Sequence, residues 1–238
     1  MKNLLLTLTA FLTFQASAQD YVGLYVNDFK NIIGNPSAEA ELLNYAQDSG
    51  FNYLLLYNLH YIHTNLFDLD NVASSLPLSD FIYNAKTNYG IEQVAAIGEK
   101  WQSFEKVIAF NSLYTDTNKQ FDVFNLEFEF WNDNLTDTGE YYCDTYLTPN
   151  SLPCTYDGAF AYYNFQLDSM KSYCDEHDVL AETYIGYPTA PHSDSIALKT
   201  DRVLVHYYRS SDVYADSSSI YQYNSYRVED LADQKVTI

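Results

Sequence analysis

The sequence predicts an α/β fold, a TIM-type (β/α)8 barrel, and three observations carry that reading. Strand and helix patterns alternate six times without a break, which means parallel strands joined by crossover helices. No glycine-rich phosphate loop follows the first strand, which argues against an open nucleotide-binding sheet. A long insertion, residues 132–157, follows the fourth strand at its C-terminal end, where barrels of this kind build their sites.

The elements follow in order. Residues 1–18 read as a signal peptide: Lys2 is a minimal basic start, an apolar core runs from Leu4 to Phe14, and Ala16-Ser17-Ala18 fits the small-residue cleavage rule. The apolar run is too short to span a bilayer, so residues 19–238 are expected as a single barrel domain outside the cytoplasm, secreted, periplasmic or at the cell surface. The first strand is expected over 21–27. A helix follows that opens at Asn35-Pro36-Ser37, with Ser37 as its cap, and stops at Gly50. Residues 51–59 are nearly all apolar, as suits a strand buried on both faces.

Then come a helix at 77–89, a strand at 92–98, a helix at 104–114 and a strand at 121–131. The longest helix is expected at 158–176, a strand at 180–186, a short helix at 193–199 and a sixth strand at 202–208. Residues 217–233 read as a helix and 235–238 as the start of a seventh strand. A full barrel needs about eight such units, so the pattern reads as a barrel incomplete near strand seven.

The net charge is −20, which argues against nucleic acid and anionic membrane surfaces as partners and tolerates neutral ones. Tyrosine occurs 24 times, supplying broad rings with a hydroxyl; these suit polar-ring ligands such as carbohydrate and equally suit half-buried strands. Cys143 and Cys154 flank a polar, proline-containing loop and are expected to form a disulfide in an exported protein, with Cys174 a buried free thiol in a helix. No Cys/His cluster has zinc spacing, and neither a metal nor a cofactor is expected.

The chain is organised around residues 121–131, Phe-Asp-Val-Phe-Asn-Leu-Glu-Phe-Glu-Phe-Trp. Asn125, Glu127 and Glu129 alternate with Leu126, Phe128 and Phe130, so as a strand the polar groups share one face and the apolar face must be buried. Two carboxyls at i and i+2 lie roughly 6–7 Å apart at the backbone, close enough for one to hold a proton near neutral pH, as a general acid requires. A solvated edge strand with acidic decoration would show the same alternation.

With these residues in view, Asp122, Asn125, Glu127 and Glu129 resemble the strand-four signature Asp-x-x-Asp-x-Asp-x-Glu of glycoside hydrolase family 18, the chitinases and endo-N-acetylglucosaminidases. The third strand's Ala95-Ala96-Ile97-Gly98-Glu99 partly matches that family's Ser-x-Gly-Gly, and His206-Tyr207-Tyr208-Arg209 keeps the tyrosine of its Met-x-Tyr-Asp. Glu127 stands where the family has Asp, and Val123 where it usually has Gly. The resemblance implies a hydrolase of β-linked N-acetylglucosamine glycans, chitin or N-glycan core, acting by the substrate-assisted retaining route. In that scheme Glu129 protonates the leaving oxygen, Glu127 orients the substrate's acetamide and Tyr208 holds it. The family also contains barrels that have lost catalysis and only bind sugars, so a lectin-like binder is the alternative.

Asn125, Asp122, Trp131, Trp101 and Tyr25 complete the expected substrate-binding set. The two tryptophans follow strands four and three and could stack on sugar rings or plug the core under a loop. Tyr25 on strand one could line the mouth or pack inside.

Overall fold

Short apolar runs with a two-residue period pair side by side, and runs with helical spacing cover them. The computed structural model describes residues 21–206 together with Leu231. In chain order the elements are β1 (Gly23–Val26), α1 (Pro36–Asp48), β2 (Tyr53–Leu56), α2 (Leu59–Asn65), α3 (Val72–Asn88), β3 (Gln93–Gly98), α4 (Glu105–Ser112), β4 (Val123–Glu127), α5 (Asp133–Thr136), α6 (Tyr156–His177), β5 (Leu180–Ile185), α7 (Ala190–Ala197) and β6 (Arg202–Val205). The six strands form one sheet in the order β1 to β6, and every neighbouring pair is parallel. The alternation of strand and helix is the cause: each crossover helix returns the chain to start the next strand beside the last. The expected signal peptide, the helix at 217–233 and the strand at 235–238 lie outside the described residues.

Several boundaries differ from expectation. Asn35, not Ser37, caps α1; its side chain accepts from the N–H groups of Ser37 and Ala38, leaving Pro36 at the first turn where no donor is missed. The second strand ends at Leu56, because Asn58 turns the chain at φ +65° and the following residues form α2. Pro77 lies inside α3, whose start is fixed by Asn71 accepting from Ser74 N–H.

β4 ends at Glu127, short of the expected 131. Phe128 and Phe130 leave the ladder and insert among rings of the following segment. Phe128 stacks on Tyr142 at 4.1 Å between centroids, and Phe130 packs against Phe160 and Tyr163. Both are fully buried, as are Phe124 and Leu126, so the apolar half of the alternation goes to the core.

The sheet has two unlike faces. Leu54, Leu56, Val94, Ala96, Phe124, Leu126, Ala181 and Val203 point outward into the main core beneath the helices. The inner face holds a small apolar cluster of Tyr53, Leu55, Ala95 and Val123. Beside it lies a buried polar layer: Glu182 accepts from Tyr53 Oη at 2.6 Å, from Asn125 Nδ2 at 2.6 Å and from Arg202 Nε. Arg202 also donates to Gln93 Oε1 at 2.9 Å.

These contacts show that the sheet curls. β2 and β5 are three strand spacings apart, about 14 Å if flat, yet Tyr53 and Glu182 touch. The Arg202 guanidinium, on β6, lies 4.9 Å from the ring centre of Tyr21, which precedes β1.

Candidate functional site

Alternation along the curled strands delivers one inward residue per strand to the C-terminal rim. Tyr25 belongs to β1, and Tyr57 and Glu99 follow β2 and β3. Glu127 ends β4, Tyr184 lies on β5, and His206 follows β6. Tyr25 and Tyr57 have ring centres 5.9 Å apart, and Tyr184 and His206 have theirs 5.6 Å apart. Beside Tyr57 opens a cleft of about 670 Å³, lined by Tyr57 and Asn58 after β2, Glu99 after β3, Glu127 and Glu129, and Tyr141, Tyr142 and Tyr146 of the insertion after β4.

Glu127 is partly buried and accepts a short hydrogen bond from the Tyr57 hydroxyl at its Oε2. Burial pushes its pKa up; the Tyr57 bond works against that, while the charges of Glu129 and Glu99 add to it. Tyr57 itself is pushed far up by burial and by the neighbouring Glu127, so its hydroxyl keeps its proton and remains a donor. Glu129 lies past the strand end. Asn132 Nδ2 donates to its Oε2 at 2.8 Å, and its own backbone N–H reaches Tyr142 Oη at 3.4 Å.

The far wall comes from the insertion after β4. Glu99 Oε2 accepts from Tyr146 Oη at 2.6 Å and from Tyr141 Oη at 3.1 Å, and the Lys100 ammonium lies 5.5 Å from the Tyr146 ring centre. Cys143 and Cys154 form a disulfide with Cα atoms 5.1 Å apart, fastening this segment below the wall. Cys174 is a buried free thiol on α6, pushed up to about 12 by burial.

The residues expected from sequence fall into three groups. Glu127 and Glu129 line the cleft together, and Tyr25 reaches Tyr57 beside it. Trp131 lies near the rim, partly buried, packed on Tyr184 at 5.8 Å and across the end of β5; a Cβ on Gly186 would fall 2.3 Å from its indole, so only glycine fits there.

Asn125, Asp122 and Trp101 are used elsewhere. Asn125 is fully buried and donates to Glu182. Asp122 lies at the opposite end of β4, where Lys86 Nζ donates to it at 2.7 Å and Val94 N–H at 2.8 Å. The strand separates it from Glu127 by about 16 Å. Trp101 packs on Phe104 and on Tyr173 of α6, outside the sheet, because the chain turns outward after β3. Tyr208 lies outside the described residues.

Sequence reasoning missed Tyr57, Glu99 and the wall tyrosines. The signal for Tyr57 was the two-residue period of Tyr53, Leu55 and Tyr57. For the wall, nothing in a loop sequence tells which tyrosines will fold back.

One group among the described residues has atoms close enough to hold a cation: His63, Asp68 and Asp70, within 4.8 Å of one another. Lys106 already pairs with Asp70, and Leu69 N–H donates to His63 Nδ1 at 3.2 Å. A second hollow, of about 530 Å³, lies at the N-terminal end of the strands, and its Asp122 and Asp201 are tied to Lys86 and Lys171. No described helix is long and apolar enough to cross a membrane.

No family model matches the chain, and no curated protein matches it. Among solved structures, the crystal structure of a chitinase-like agglutinin from Robinia pseudoacacia is similar at 13% identity and a TM-score of 0.35; the match covers 81% of this chain and 56% of that one.

Proposed function

We propose that this chain is a secreted glycosidase of β-linked N-acetylglucosamine glycans, with the cleft at the C-terminal rim as its active site and the six-stranded sheet as part of an eightfold barrel. The observation that carries the reading is the convergence of Glu127 and Glu129 in one tyrosine-walled cleft at the C-terminal strand ends, where barrel enzymes place their chemistry. The disulfide and the signal-like N-terminus support secretion.

In the proposed mechanism Glu129 gives its proton to the glycosidic oxygen as that bond breaks. Glu127 accepts from the acetamide N–H of the sugar, and the acetamide oxygen attacks the anomeric carbon in place of an enzyme nucleophile. Water then opens the cyclic intermediate, returning a proton to Glu129, and the configuration is retained. Tyr208, carried over from the family motif, completes the grip on the acetamide.

A binding-only barrel is the second reading, and one observation favours it. The wall of Tyr141, Tyr142 and Tyr146 presents rings and hydroxyls that can hold a sugar with no proton transfer.

The test is product release from chitin oligosaccharides and N-glycan cores by the full chain, alongside binding of the same sugars. Glu129→Gln should leave binding intact and lower turnover by roughly 10²–10⁴. Turnover that persists unchanged removes Glu129 from the mechanism. No turnover in either the parent or Glu127→Asp, together with measurable sugar binding, selects the binding-only barrel.

A further inference from the structure

We propose that Tyr57 is the positioning residue of this cleft, holding the Glu127 carboxylate in place through a dedicated hydrogen bond. The proposal concerns a residue outside the motif residues and rests on the reading above only for its effect on sugars.

The geometry leaves Tyr57 little freedom. Its backbone N–H donates to Val26 C=O at 3.3 Å, prolonging the β1–β2 ladder beyond the last strand residue and fixing the side chain inward. The next residue, Asn58, takes φ +65°, a region Asn tolerates better than most side chains, so the chain leaves the sheet immediately after Tyr57. The ring packs beside Tyr25, and the hydroxyl ends on Glu127 Oε2. An aromatic side chain has two torsions to fix, so a phenol held at its backbone and ring gives a well-aimed donor.

Glu127 has need of such a donor. The groups that act on it are Tyr57 from the end of β2, Glu99 from the end of β3 and Glu129 from its own segment; Tyr142 of the insertion senses its charge in turn. Both carboxyls and the burial favour the protonated form of Glu127. Tyr57 alone among its named influences favours the charged form, which is the form able to accept from an acetamide N–H.

The experiment is a titration of Glu127 by carbon-13 NMR on side-chain-labelled protein without sugar, the signal being assigned by its loss in Glu127→Gln. In Tyr57→Phe the midpoint should move up. Replacing Tyr57 by a ring-fluorinated tyrosine keeps the shape, makes the phenol a stronger donor and should move the midpoint down; this arm serves if the phenylalanine variant does not fold. A midpoint unchanged in the folded variants overturns the proposal.

Sugar measurements separate this from the function itself. If the chain is a hydrolase, Tyr57→Phe should lower kcat roughly tenfold or more with KM little changed, and the acid limb of its pH profile should move up with the NMR midpoint. If the parent neither binds nor cleaves sugars yet the midpoints move as stated, the functional reading fails and the positioning role of Tyr57 stands.

Discussion

Tyr53→Phe tests the curl of the sheet with the loss of one oxygen atom. The hydroxyl donates across the interior to Glu182 at 2.6 Å, and burial together with the Glu182 charge raises its pKa well above the usual phenol range, so it is held as a donor. Phenylalanine keeps the ring, and with it the packing of Arg202, whose guanidinium lies 4.5 Å from the ring centre. What is lost is the hydrogen bond to Glu182, together with the hydroxyl's own interaction with Arg202. A bond to a charged acceptor contributes about 1.5–3 kcal/mol. Because Arg202 and Asn125 still hold Glu182, no charge is stranded, and the lower half of that range applies, about 2 kcal/mol.

For a chain of this size that is a fall in Tm of about 4–8 °C, with a matching shift of the urea midpoint at unchanged slope. In a Glu182→Gln background the acceptor is neutral, and the same substitution should cost about 1 kcal/mol less. If Tyr53→Phe changes stability by less than about 0.5 kcal/mol, β2 does not face β5 across the interior and the curled sheet is wrong.

Two further outcomes follow from the placements of Glu127 and Asp122. Burial raises the Glu127 pKa above 4.5, so the folded state binds that proton more tightly than the unfolded chain. The stability from this group is fully present below the unfolded value and is lost as pH rises through the folded one. Glu127→Gln should therefore raise Tm near about pH 8, with the gain shrinking towards about pH 4 in parallel thermal melts; equal gains at both would contradict the assigned shift. Asp122→Asn weakens the partner of Lys86 at the far end of β4, where the lysine side chain is only 7% exposed. It should lower stability by about 1–3 kcal/mol while sugar affinity, measured by calorimetry, stays at the parent value.

The parallel sheet was legible because it rests on local patterns: six alternations of period, and an apolar second strand that only a sheet covered on both faces explains. The disulfide was legible from a loop flanked by two cysteines. Within the site, the alternation of Glu127 with its apolar neighbours foretold its inward direction. It did not foretell that the strand stops there, because rings far along the chain, Tyr142 and Tyr163, pull Phe128 and Phe130 out of register. Asp122 illustrates the other limit. A motif gives the order of residues along a strand, but Asp122 lies at the strand's beginning, where Lys86 of α3 and the neighbouring ladder claim it. Glu182 was overlooked for a related reason: a lone acid in Leu-Ala-Glu-Thr-Tyr-Ile looks like a solvent-facing residue until its partners from other strands are known.

The order of strands in the sheet also governs assembly. Each strand lies beside the one that precedes it in the chain, so pairing between neighbours needs no later segment. Glu182 breaks this regularity. Two of its donors, Tyr53 and Asn125, are already made when it emerges, but Arg202 comes later in the chain. Until Arg202 is in place, the acid has neutral donors alone and lacks the positive partner that a buried charge requires. The buried acid therefore has its full set of described partners only once the sixth strand is in place.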